Sequence, residues 1–181
     1  MVLPVRNCSR PVDLKATILA EHSKAQADKI VQYVSRDQKR FNALMKIFLE
    51  GEPLEQQRAG WPLSYCVEAK PEWVMPHLGK LLKLLERKDV HNAVTRNIVR
   101  ALQHVTIPEA YQGDVMNLCF AFIEDPQQLA AIKAFSLTIL ERLAIAYPDI
   151  VPELKLIIEE RWPHETPAFH SRARKILKRF K

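Results

Sequence analysis

A spacing of 38 positions organises this chain. When the 181-residue sequence is shifted against itself by that amount, Leu78, Met116 and Leu154 fall into one column. Leu81, Cys119 and Ile157 form a second, and Leu82, Phe120 and Ile158 a third. Upstream, Leu63, Ala101 and Ile139 align, as do Val67, Val105 and Leu143, while Pro76 and Pro152 lie two periods apart. Inside each period the apolar residues recur at helical spacing. Phe41, Leu44, Met45, Phe48 and Leu49 share one face, and so do Val94, Ile98, Ala101, Leu102 and Val105. No stretch alternates apolar and polar with a period of two, so no sheet is expected. A helical hairpin that cannot bury its apolar faces alone has to stack on its neighbours. The expected fold is therefore all-α, a right-handed α–α superhelix of about nine helices.

Breaks in the pattern give the units. Glu50-Gly51-Glu52-Pro53 stops one helix, and Lys70-Pro71, Ile107-Pro108 and Tyr147-Pro148 mark further breaks. The residue before a proline is pushed out of the α region. The reading is one helical-repeat domain over residues 1–181, with irregular helices over 1–53, hairpins over 54–161 and a capping helix over 166–181. The three hairpins pair an outer helix with an inner one: 54–69 with 72–87, 91–106 with 109–123, and 127–146 with 149–161. Residues 13–34 and 37–50 make the less regular N-terminal unit. Thr166 is the expected N-cap of the last helix, with Pro167 tolerated in its first turn.

Composition narrows the function classes. The four glycines, Gly51, Gly60, Gly79 and Gly113, are too dispersed for a dinucleotide fingerprint or a phosphate loop. Cys8, Cys66 and Cys119 are odd in number and far apart, which argues against a disulfide framework or zinc ribbon and makes a reducing cytoplasm the expected compartment. The opening segment lacks the apolar stretch of a signal peptide, and no 18-residue apolar run is present to span a bilayer. The net charge of +6 is uneven: residues 1–46 and 170–181 are basic and the stretch between them is acidic. Such a distribution is a weaker match to nucleic acid than the overall charge implies, because a phosphate backbone needs several cations on one continuous face.

Over about residues 54–181 the chain resembles the HEAT/armadillo-type helical repeats. The resemblance rests on Gln57-Arg58-Ala59 and Gly60-Trp61-Pro62 within one helix, and on the turn-plus-helix patterns Pro71-Glu72-Trp73-Val74 and Pro148-Asp149-Ile150-Val151. Armadillo-like, HEAT-like and alkyl-purine glycosylase-like subtypes all satisfy the spacing. The resemblance implies a binding scaffold or, through the glycosylase subtype, an aspartate flanked by aromatics. Here the nearest such set is Asp114 and Tyr111 on one expected inner helix, with Trp73 on the preceding one. A carboxylate there would stabilise an electron-deficient sugar. The competing reading of Asp114 is an ordinary first-turn acid complementing the helix dipole.

Other residues carry less chemistry. His164 and His170, beside Glu165, have half a zinc-finger spacing without its cysteines, and read as a solvated inter-repeat loop rather than a metal site. Lys80, Lys83 and Arg87 form a basic edge of the kind that usually faces water. In the last helix Phe169, Ala173, Ile176, Leu177 and Phe180 make an apolar stripe, with Arg172, Arg174, Lys175, Lys178 and Arg179 around it. That helix reads first as a cap on the last repeat. The alternative is a detachable basic amphipathic helix for a membrane surface or RNA. The functional expectation is a non-catalytic scaffold, without cofactor or metal, whose partner is another protein. Lys80, Lys83, Arg87 and the five basic residues of the last helix are its candidate contacts. DNA binding, or glycosylase-like repair, is the alternative.

Overall fold

A computed structural model describes residues 12–181, which contain helices and connecting turns and no strand. Ten α-helices follow one another: α1 (Leu14–Ala20), α2 (Lys24–Val34), α3 (Gln38–Glu50), α4 (Pro53–Ala69), α5 (Leu78–Leu85), α6 (Asn92–Leu102), α7 (Glu109–Glu124), α8 (Ala130–Ala146), α9 (Val151–Arg161) and α10 (Pro167–Arg179). Short 3-10 stretches at Pro71–His77 and Pro148–Ile150 lead into α5 and α9. Both begin at the prolines that the sequence marks as breaks. Cys8 lies outside the described residues.

Local chemistry explains the helix starts. Asp13, Ser23, Asp37 and Thr166 each hold extended backbone and accept a hydrogen bond from the amide three residues on. Each thereby satisfies one of the donors that a helix N-terminus leaves free. Ser23 accounts for the tenth helix, since it starts α2 afresh inside the stretch expected to be one unit. Glu52 and Glu55 form a reciprocal capping box at the head of α4. This helix runs on through Pro62, whose ring nitrogen leaves the Arg58 carbonyl without its helical donor.

The helices form two rows. In one, α2, α4, α6, α8 and α10 pack directly on one another in sequence. In the other, α3, α5, α7 and α9 touch their row neighbours far less. Curved stacks of repeats present an extended concave surface, and the row with closer neighbours lies on the inside of the curve. The exposed surface of these helices agrees. On α4 the partly open residues beyond Gln57 are Arg58, Trp61 and Tyr65, at helical spacing, with Glu68 and Ala69 open at the end, and the other residues between Arg58 and Glu68 are buried. By contrast, α7 leaves more than half its residues at least partly open. The 72–87, 109–123 and 149–161 segments, expected to be inner, are therefore the outer row. The most extensive contacts between successive helices join α3 to α4 and α7 to α8, one helix out of step with the expected hairpins. Prolines record where helices stop, and carry no information about which faces then meet.

One continuous core runs between the rows. Phe41, Phe48, Leu78, Ile123, Leu137, Leu154 and Phe169 are each fully enclosed in it. Close approach at one point depends on Gly60, because a Cβ there would lie 2.8 Å from Asn97 Nδ2 and 3.0 Å from a Phe48 ring carbon. The last helix docks through Phe169, Ala173 and Ile176, all with no exposed surface. Beneath it Lys133 of α8 meets Glu165, with Nζ and Oε1 2.5 Å apart and the two side chains 2% and 4% exposed. Arg161 donates to the same oxygen at 2.9 Å. Glu165 is thus part of the interior and not of a solvated loop, while His164 beside it is exposed.

Candidate functional site

The open stripes of α4, α6 and α8 meet in a groove of about 370 Å³ on the inner row. His22, Trp61, Tyr65, Arg96, Asn97, Arg100 and Phe135 line it. Each arrives by helical spacing. Trp61 and Tyr65 are one turn apart on α4, Arg96 and Arg100 one turn apart on α6, and Phe135 comes from α8. Trp61 meets the His22 ring edge-on at 5.7 Å between centroids. The Arg100 guanidinium lies over the Tyr65 ring, 4.3 Å from its centre, and 4.0 Å from Glu68. Set against the phenol in this way, Arg100 holds Tyr65 below the usual tyrosine range.

Two residues of this groove stand out. Arg96 is exposed and makes no ion pair or side-chain hydrogen bond among the described residues. Asn97, only 4% exposed, carries an amide nitrogen with no hydrogen-bond partner. That nitrogen lies against Gly60 and Phe48 at the α4–α6 contact, so its missing bond, a cost of about 1–3 kcal/mol, belongs to the close helix packing and not to the open groove. The other arginines along the inner row are already engaged. Arg58 donates to the Leu19 carbonyl, Arg142 to the Gln103 carbonyl, Arg172 to the Thr138 hydroxyl and Arg179 to Glu141.

The residues singled out from sequence sit elsewhere. A second groove, of about 420 Å³, lies between α5 and α7 on the outer row and takes in Gly79, Lys80, Lys83, Glu86, Tyr111 and Asp114. Tyr111 and Asp114 do share a cleft, but Trp73 is not in it: its ring packs edge-on against Phe41 at 5.7 Å. The aspartate flanked by two aromatics is not assembled. Two lysines facing two carboxylates leave this groove with no net sign. Arg87 turns away from it to form a bidentate pair with Asp89.

On α10, Arg172 and Arg179 bind α8, and Arg174 lies over Trp162 at 5.6 Å. Lys175 and Lys178 are exposed. Insertion of this helix into a membrane would first have to undock Phe169, Ala173 and Ile176. No helix among the described residues is long and apolar enough to cross a membrane, and no group of three or more metal-ligating side chains occurs among them.

Trp61, Tyr65, Arg96, Arg100 and Phe135 were not singled out as a group by sequence reasoning. The available signal was the Arg58, Trp61, Tyr65, Glu68 spacing, a thin amphipathic edge on α4. Two tightly stacked helix rows with one shared core define the class of an α-helical repeat solenoid. A family model described as a HEAT repeat domain matches residues 14–180, and the chain belongs to that family. No curated protein and no solved structure matches it.

Proposed function

We propose that this protein is a non-catalytic scaffold that holds a protein partner along its inner row. One observation carries the reading: the α4–α6–α8 groove sets Trp61, Tyr65 and Phe135 beside Arg96, which makes no ion pair among the described residues, and Arg100, whose guanidinium lies over Tyr65 and 4.0 Å from Glu68. Tryptophan, tyrosine and arginine are the residues that dominate binding energy at protein interfaces. Repeat stacking supplies a rigid platform for them without requiring an active site.

The test places a photo-crosslinking amino acid at Tyr65, in the groove, or at Gly113, exposed on α7 of the outer row. A defined protein should crosslink from position 65 in cells and be lost when Trp61→Ala is added. Crosslinks confined to position 113, or a nucleic acid recovered in place of a protein, would overturn the reading.

The DNA-repair alternative draws support from the arginines and aromatics of the same groove. Against it stand Glu68 and Glu141 on the same row, and Asp114 on the opposite one. Duplex DNA should therefore show no tight binding at low salt that weakens steeply as salt is raised, the behaviour of phosphate readers.

A further inference from the structure

We infer that the groove between α4, α6 and α8 recognises an extended peptide segment carrying two carboxylates two residues apart next to an apolar side chain. The inference rests on the scaffold reading and adds the chemistry of the partner. Arg96 and Arg100 are four residues apart on α6, which separates their backbone positions by about 6 Å along the helix. In an extended chain, side chains at i and i+2 point the same way and are about 6.6 Å apart. Asp or Glu at those two positions of a peptide lying along α6 would meet one guanidinium each. Such pairs are charge-assisted and favour planar carboxylates.

The groove's own lining holds two arginines and no lysine, too few for a polyanion. Four of the seven arginines along the inner row, Arg58, Arg142, Arg172 and Arg179, spend their donors on the protein's own carbonyls, hydroxyl and carboxylate, and Arg174 lies over Trp162. Glu68 and Glu141 interrupt what would be the track of a phosphate backbone. Two adjacent guanidiniums, walled by Trp61 on one side and Phe135 on the other, suit a short acidic-apolar motif.

Selection of a random dodecapeptide phage library on the full chain tests this. Enriched sequences should show acid-x-acid with an aromatic or branched apolar residue within three positions. A synthetic peptide of the leading sequence should lose about tenfold or more in affinity when its acids become amides. Arg96→Gln should weaken it about fivefold or more, and Arg100→Gln likewise, with thermal melting checked for each. If Arg100→Gln melts early, Arg96→Gln decides, since Arg96 touches nothing that the fold needs. Enrichment without an acidic excess, no enrichment at all, or unchanged affinity in the Arg96→Gln variant would overturn the inference. So would tighter binding of a twelve-nucleotide oligothymidylate than of the peptide, which would give the groove to nucleic acid. Failure here, with the position-65 crosslink to a protein intact, removes the acidic motif and leaves the scaffold reading standing.

Discussion

Replacing Glu165 by glutamine keeps the shape of the side chain and deletes the only carboxylate paired with Lys133 among the described residues. Lys133 is 2% exposed and Arg161 is 18% exposed, and both donate to the same Glu165 oxygen. The variant would confine two cations around a neutral amide. Removing one partner of a buried pair costs about 3–5 kcal/mol. For a domain of this length each kcal/mol shifts the melting temperature by about 2–4 °C, so Glu165→Gln should melt roughly 6–20 °C lower. The pair's net worth is a different quantity. A Lys133→Met, Glu165→Gln double variant removes the stranded ammonium and should recover most of the loss, because apolar replacements of buried pairs are often neutral or better. Thermal melts followed by circular dichroism on the four proteins complete the cycle. A single variant within about 2 °C of the parent would show that the carboxylate carries little. A double variant melting as low as the single would show that charge burial is not the cause.

Two glycines should respond in opposite directions. Gly60→Ala sets a methyl against Asn97 and Phe48 and should destabilise by about 1–3 kcal/mol in spite of its better helix propensity, whereas Gly113→Ala meets nothing within 4 Å and should stabilise by up to about 1 kcal/mol. Denaturant titration distinguishes them. Burial pushes the Cys66 thiol up to about 11 and Cys119 up to about 12, so neither should be alkylated in the native state at pH 8. Peptide-resolved mass spectrometry before and after unfolding checks this. Hydrogen bonds from Lys15 and from the Glu52 amide hold the Glu55 carboxyl below its ordinary 4.5. A lowered carboxyl contributes stability above the unfolded value and loses it as pH falls through the folded one. The parent should therefore lose more stability than Glu55→Gln between pH 5 and pH 3, and parallel acid melts would contradict the assignment.

Helix boundaries were legible in the sequence because they have local causes. A proline or glycine break, or a Thr three residues ahead of an amide, acts within a single turn, and those signals placed the end of α3 and the starts of α4, α7 and α10 to within a few residues. The assignment of helices to inner and outer rows was not legible, because it depends on how many neighbours cover each helix. Burial of α4 and α8 by neighbours on several sides decides the row, and the sequence of α4, with Glu55, Gln56, Gln57, Arg58 and Glu68, did not announce it. That burial outweighs the position of the prolines, which had pointed to the opposite row. Lys133 offered a sharper clue: with Leu137 and Leu140 it occupies an apolar face at helical spacing, where a charge survives only beside a counter-ion. Asp114 looked promising because Tyr111 stood one turn away and Trp73 was expected on the preceding helix of the same row, and the fold sends Trp73 to Phe41 instead.

The arginine tethers Arg58 to Leu19, Arg142 to Gln103 and Arg179 to Glu141 span 39, 39 and 38 positions, each reaching back by one module. Strain applied at one end is thus handed along link by link, with no strut bridging the whole length. Cutting one tether would therefore loosen a single joint and leave the joints on either side of it still tied.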